Sequence, residues 1–216
     1  MAEYIEQTNL RPTLTGQDID LLVSETIEHQ FKGICVPPFW VQKVRRELTH
    51  HHSTSVLVTV VGFPFGYTTT EDKLHETERA LLNGADEIDM VWNLSAFKSK
   101  MSWVKTEIAK VAHLVHQHEK GLKVIIETAY LSREDIVEAC KLCVDSGADF
   151  VKTSTGYAAE GATIEAIELI RAHVPDHVGV KASGGIKTRE FAEALIRAGA
   201  TRIGTSSGSQ IVSKNT

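Results

Sequence analysis

Three residues stand five positions past a repeated glycine: Asp89 after Gly84, Lys152 after Gly147 and Gly204 after Gly199. The phrases are GADEIDMV, GADFVKTS and GATRIGTS. One offset delivers a carboxylate, an amine and a position with no side chain. Strand side chains alternate with period two, so equal offset means equal facing and comparable depth. Lys181 ends a further apolar run, Val178-Gly179-Val180-Lys181, just before a turn.

A lysine walled in by Phe150 and Val151 has chemical use only as its neutral amine. At its reference pKa of about 10.4, roughly 0.04% would be neutral at pH 7. Bringing that pKa to about 7 takes roughly 4–5 kcal/mol of differential destabilisation of the ammonium. Burial supplies part of this, and a second ammonium such as Lys181 on a neighbouring strand adds repulsion. The amine could then form an imine with a carbonyl, and Asp89 could move a proton at the reacting carbon or hydroxyl.

Two segments suit an anion. Ser183-Gly184-Gly185 precedes a helical pattern, and Gly204-Thr205-Ser206-Ser207-Gly208 precedes a last short element. Glycines admit close backbone approach, and N–H groups at a helix start favour phosphate. Neither segment has a Walker or G-x-G-x-x-G pattern, so nucleotide binding is not indicated.

These residues need a frame. Apolar runs predict strands at 4–8, 33–36, 56–61, 86–91, 123–127, 149–153, 178–182 and 202–206. Helical periodicity predicts helices at 17–30, 38–48, 70–83, 101–118, 133–146, 162–173 and 188–198. Gly84, Gly147 and Gly199 fall where a helix ends in a left-handed residue. Eight strands alternating with helices predict a (β/α)8 barrel, one α/β domain over 1–216, with a doubly wound sheet as the competitor. In a barrel the polar strand ends and both glycine segments meet at one mouth, the latter after strands seven and eight, where phosphate sites gather.

The 216 residues, 42% hydrophobic and 24% charged with net charge −5, describe a globular chain with no basic groove for nucleic acid. The first residues lack the basic and apolar regions of a signal peptide, and no apolar run is long enough for a bilayer, so a cytoplasmic protein is expected. Three cysteines argue against a disulfide framework. Cys140 and Cys143 fall mid-helix and read as buried helix residues, and Cys35 as a small core residue. His50-His51-His52 reads as a solvated helix end. His113, His116 and His118 lack an acidic partner at metal-site spacing, so no metal is expected. Glu127, closing the strand KVIIET, could serve structure or catalysis equally.

The phrases GADEIDMV, KVIIET, GADFVKTSTG, VKASGGI and RIGTSSG, in this order, resemble the deoxyribose-phosphate aldolase family over about residues 4–211. The resemblance implies a cofactor-independent class I aldolase that interconverts 2-deoxy-D-ribose 5-phosphate with acetaldehyde and D-glyceraldehyde 3-phosphate. It implies Lys152 as the Schiff-base lysine, Lys181 as the lysine that lowers its pKa, and Asp89 as the proton relay. Gly184, Gly185, Gly204, Ser206 and Ser207 match the phosphate-binding segments, with Gly156 offering a further amide. Small sugar phosphates and aldehydes are the implied partners, and a homodimer the implied assembly. Another Schiff-base lyase, a sugar-phosphate isomerase or a non-catalytic binder on the same barrel are the other readings.

Two departures stand out. The family phrase I-D-H-T is Ile5-Glu6-Gln7-Thr8 here, which would alter polar packing at the mouth. Tyr157 follows KTSTG, so phosphate binding is expected to rest on amides and hydroxyls rather than on a charge there.

Overall fold

Each short apolar run pairs with the next across a covering helix, and the series closes on itself. The computed structural model describes residues 1–213. Its strands are β1 (Ile5–Thr8), β2 (Gly33–Val36), β3 (Val56–Val61), β4 (Glu87–Val91), β5 (Gly121–Ile125), β6 (Phe150–Lys152), β7 (Gly179–Ser183) and β8 (Arg202–Thr205). Neighbours pair in parallel, and β8 returns to β1. The frame is the (β/α)8 barrel, not the open sheet.

Helices α1 (Gly16–Glu28), α2 (Val41–His50), α3 (Thr70–Leu82), α4 (Leu94–Lys98), α5 (Trp103–Gln117), α6 (Arg133–Asp145), α7 (Ile164–His173), α8 (Arg189–Arg197) and α9 (Gly208–Val212) surround it. Thr15, Thr69 and Ser132 start α1, α3 and α6 through reciprocal capping boxes with Asp18, Asp72 and Asp135. The repeat glycines Gly84, Gly147 and Gly199 follow helix ends at φ of 101°, 83° and 113°, the conformation expected of them.

Some boundaries differ from the sequence reading. The helix expected over 101–118 is α5, and a short helix that periodicity did not indicate, α4, precedes it, capped by Asn93 and separated from α5 by Lys100 at φ 55°. A 3-10 turn at Pro38–Trp40 precedes α2, so the helix starts later than periodicity indicated. Strand β5 ends at Ile125, and Glu127 stands two residues beyond it in the left-handed region rather than closing the strand.

The apolar mass lies between strands and helices, around Ile34, Leu57, Ile88, Val124, Val151 and Val180. Among the described residues, the buried apolar cluster inside the barrel is limited to Cys35, Val58 and Val60. In a barrel of this stagger, side chains level with one another come from alternate strands, four to a layer. The pairing register therefore defines three stacked layers. The lowest holds Gly33, Glu87, Phe150 and Arg202. Above it lie Glu6, Val58, Lys123 and Lys181, and above those Cys35, Asp89, Lys152 and Gly204. The glycine offset thus marks one physical layer.

Glycine makes room for the long side chains. A Cβ on Gly204 would lie 3.1 Å from Lys181 Cε, and one on Gly179 2.2 Å from the Phe150 ring. That ring receives Lys123 Nζ at 5.6 Å and the Arg202 guanidinium at 5.3 Å.

A second buried ion pair braces the outside of the barrel. Lys73 Nζ on α3 donates to Glu107 Oε1 on α5 at 2.8 Å, and Glu107 also accepts from the Asn93 amide at 3.2 Å. Removing one partner leaves the other charge buried and alone, so Lys73→Met should cost about 3–5 kcal/mol of stability. Urea unfolding checks this, and the double variant with Glu107→Leu should recover most of the loss.

Candidate active site

The interior layers form one connected set of charges. Asp89 Oδ2 accepts from Lys152 Nζ at 2.6 Å and from Lys181 Nζ at 2.7 Å, while Asp89 Oδ1 accepts from Lys123 Nζ at 3.0 Å. Lys181 also donates to Glu6, and Lys123 pairs with Glu87. Glu6 Oε1 lies 3.6 Å from Lys123 Nζ and 3.4 Å from the Arg202 guanidinium, which reaches Glu87 at 3.7 Å. Glu6, Asp89, Lys123 and Lys181 are fully buried, and Lys152 is 2% exposed.

Four cations therefore share three carboxylates. If all seven groups were ionised, one positive charge would be in surplus. Lys123 touches three carboxylates and Lys181 touches two. Arg202 touches two and cannot give up its proton. Lys152 touches Asp89 alone, and shares the same oxygen with Lys181. It is the amine that loses least by becoming neutral.

The titration directions follow that order. Burial pulls Lys152 below the ordinary lysine range; Asp89 opposes this and the Lys181 ammonium reinforces it. Burial also disfavours charge on Lys181, but Asp89 and Glu6 together outweigh it and hold the pKa above the usual value. Lys123 is raised likewise, because Asp89, Glu6 and Glu87 overcome its burial. Asp89 is buried too, yet Lys123, Lys152 and Lys181 keep its carboxyl well below the usual range. Glu6 is lowered because Lys123 and Lys181 outweigh its burial and the repulsion of Asp89. Beside Lys152, burial pushes the Cys35 thiol up to about 11, so it is protonated at neutral pH.

A cleft of about 750 Å³ opens over this set at the carboxyl ends of the strands, and of the seven groups only Lys152 lines it. Gly156, Gly184, Gly185, Gly204 and Ser206 line it as well. Gly184 and Gly185 take φ of 88° and 75°, so the loop after β7 depends on glycine there. Ser207 does not line the cleft, contrary to its grouping with Ser206; its amide donates to Thr205 Oγ1 at 2.9 Å as the chain turns into α9.

The departures find other roles than expected. Glu6 is a layer below Lys152 rather than at the mouth. Gln7 faces outward, donating to Glu25 Oε2 at 2.6 Å and accepting from the Gly208 amide at 3.0 Å, so it ties β1 to α1 and α9. Tyr157 donates to Leu10 O at 3.0 Å and packs edge-on to Phe63, holding one wall of the cleft. Glu127 turns to Thr155, accepting from its amide at 3.2 Å.

Sequence reasoning missed Lys123, Glu87 and Arg202 as members of the set, and Arg11 and Lys187 as cations lining the cleft. A lysine inside Leu122-Lys123-Val124-Ile125 carried the same signal as Lys152. Cys140 and Cys143 are buried in α6, as read, with both thiols pushed up by burial.

A buried amine whose pKa is pulled down beneath an open cleft, in a closed (β/α)8 barrel, defines the class: a barrel aldolase. The chain belongs to the DeoC/LacD family of aldolases, whose model matches residues 1–214. It is 49% identical over 213 residues to the deoxyribose-phosphate aldolase of Thermococcus kodakarensis, covering 98% of this chain and 95% of that one. The deoxyribose-phosphate aldolase of Brevibacillus brevis is also 49% identical, with the same coverage. Among solved structures, the tetrameric deoxyribose phosphate aldolase of Aeropyrum pernix superposes with a TM-score of 0.90 at 31% identity, over 97% of this chain and 88% of that one. Among the described residues, no helix is long and apolar enough to cross a membrane.

Lys181→Leu removes one of the four cations and leaves Asp89 Oδ2 to Lys152. The ammonium of Lys152 then gains a full counter-charge. Turnover at pH 7 should fall by at least about 100-fold and recover as pH rises, at about tenfold per unit. A pH–rate profile measures this, and a near-normal rate at pH 7 contradicts it.

Proposed function

We propose that this aldolase cleaves 2-deoxy-D-ribose 5-phosphate reversibly to acetaldehyde and D-glyceraldehyde 3-phosphate, through a Schiff base on Lys152. The observation that carries this reading is the opening of one buried amine, which shares its single carboxylate oxygen with Lys181, into a cleft edged by two glycine-rich loops. The names of the relatives agree with it. The whole chain, 1–216, acts as one domain in this reading.

The sugar aldehyde condenses with neutral Lys152, the carbinolamine loses water, and the imine takes up one proton from solvent to become the iminium. The site holds balanced charge before this step, so the iminium is a surplus cation. That surplus draws in the electron pair as C2–C3 breaks, which is the electron sink the reaction needs. The C3 hydroxyl proton passes by way of Asp89, whose low pKa makes it a relay rather than a resting place. Glyceraldehyde 3-phosphate departs, the enamine takes a proton at C2, and hydrolysis returns acetaldehyde and free Lys152.

The phosphate is proposed to lie between the Gly184-Gly185 loop and Gly204 and Ser206, with Gly156 lining the same cleft. Arg11 and Lys187 add positive charge at the same cleft. Borohydride reduction in the presence of the sugar phosphate should fix one adduct, on the peptide carrying Lys152. An adduct on another lysine, or none, overturns the assignment; failure to release acetaldehyde overturns the substrate.

A further inference from the structure

A residue can act on Lys152 without touching it, through the carboxylate they share. Around the Lys152 amine, β4 presents Asp89 with Glu87 below it, β7 presents Lys181, and β2 presents Cys35. Glu6 on β1 and Arg202 on β8 lie deeper, β3 presents only Val56, Val58 and Val60, and Glu127 past β5 is turned away to Thr155. From β5 comes Lys123, fully buried, within reach of Glu6, Glu87 and Asp89.

We propose that Lys123 is a positioning residue for the reaction: by occupying Asp89 Oδ1 and neutralising the carboxylates beneath, it leaves Lys152 with only a shared oxygen of Asp89 as its counter-charge. This rests on Lys152 as the reacting amine. It goes beyond the pairing of two lysines, because repulsion from Lys181 alone would act in any barrel with that pair. Without Lys123, the three carboxylates face only Lys181 and Arg202, and the vacancy is filled by a proton on Lys152. Without Glu87 the balance tips the other way. The two substitutions have opposite signs, which a general loosening of the barrel would not produce.

The test reads Lys152 directly in the substrate-free protein, by acylation with acetic anhydride across a pH series and peptide mass spectrometry. In Lys123→Met, the onset of Lys152 reactivity should move up by about one pH unit or more, and kcat/KM at pH 7 should fall at least about tenfold, recovering in alkali. Lys123→Arg keeps the cation and should keep the onset near that of the unmodified protein. Glu87→Gln should move the onset down. An unmoved onset in both Lys123→Met and Glu87→Gln, or a shift of the same sign in both, overturns the proposal. If Lys123→Met does not fold, Glu87→Gln decides alone, since Glu87 stands at the open lower end with its side chain 15% exposed; an unchanged or raised onset refutes the idea. A failed borohydride trap would remove the role of Lys152 in catalysis and leave this titration readable.

Discussion

The barrel interior is governed by a mismatch: four cationic side chains and three carboxylates share a largely buried space. Isolated buried charges cost several kcal/mol each even after relaxation, so every ion must be matched by a counter-ion close by. A surplus charge is the costliest member and is most readily lost as a proton. The residue that loses it is decided by contacts. Lys123 and Lys181 hold more than one carboxylate, Arg202 keeps its proton at any working pH, and Lys152 holds half of one oxygen. The lowered pKa of Lys152 is thus a consequence of how the charges are distributed over the strands.

The rest of the fold serves this arrangement. An interior filled by polar side chains forgoes hydrophobic burial, and the outer shell between strands and helices supplies it instead. Gly179 and Gly204 give the long side chains width to cross the barrel. Gly204 does double duty, leaving space for Lys181 below while its backbone edges the cleft above. The chain ends are drawn in too, through Glu6 within the set and Gln7 holding β1 against α9.

Much of this could be read from the residues alone, and the omissions have physical causes. The glycine offset located Asp89, Lys152 and Gly204 because each helix ends and its strand begins at the same interval, so position in the phrase becomes height in the barrel. Lys123 escaped because its strand has no such glycine marker. The strand was expected to begin at residue 123, whereas pairing with β4 carries it from Gly121 and sets Lys123 inside it, in register with Asp89. Glu6 and Arg202 sit near strand starts, and only closure of β8 onto β1 brings them beneath Lys181. Ser207 was grouped with Ser206 through the glycine-rich segment and the family resemblance, but only Ser206 lines the cleft, while the Ser207 amide donates to Thr205 as the chain turns into α9. A strand's pattern tells which side chains face inward; which of them meet is settled by register around the whole circle.

The central claim is most directly tested by titrating the unmodified protein with its lysines labelled at Cε and Nζ and followed by NMR. The account predicts that Lys152 loses its proton well below the ordinary lysine value of about 10.4, while Lys123 and Lys181 stay protonated through the same range. A Lys152 resonance that remains an ammonium up to that value, or a Lys181 that deprotonates first, would contradict it.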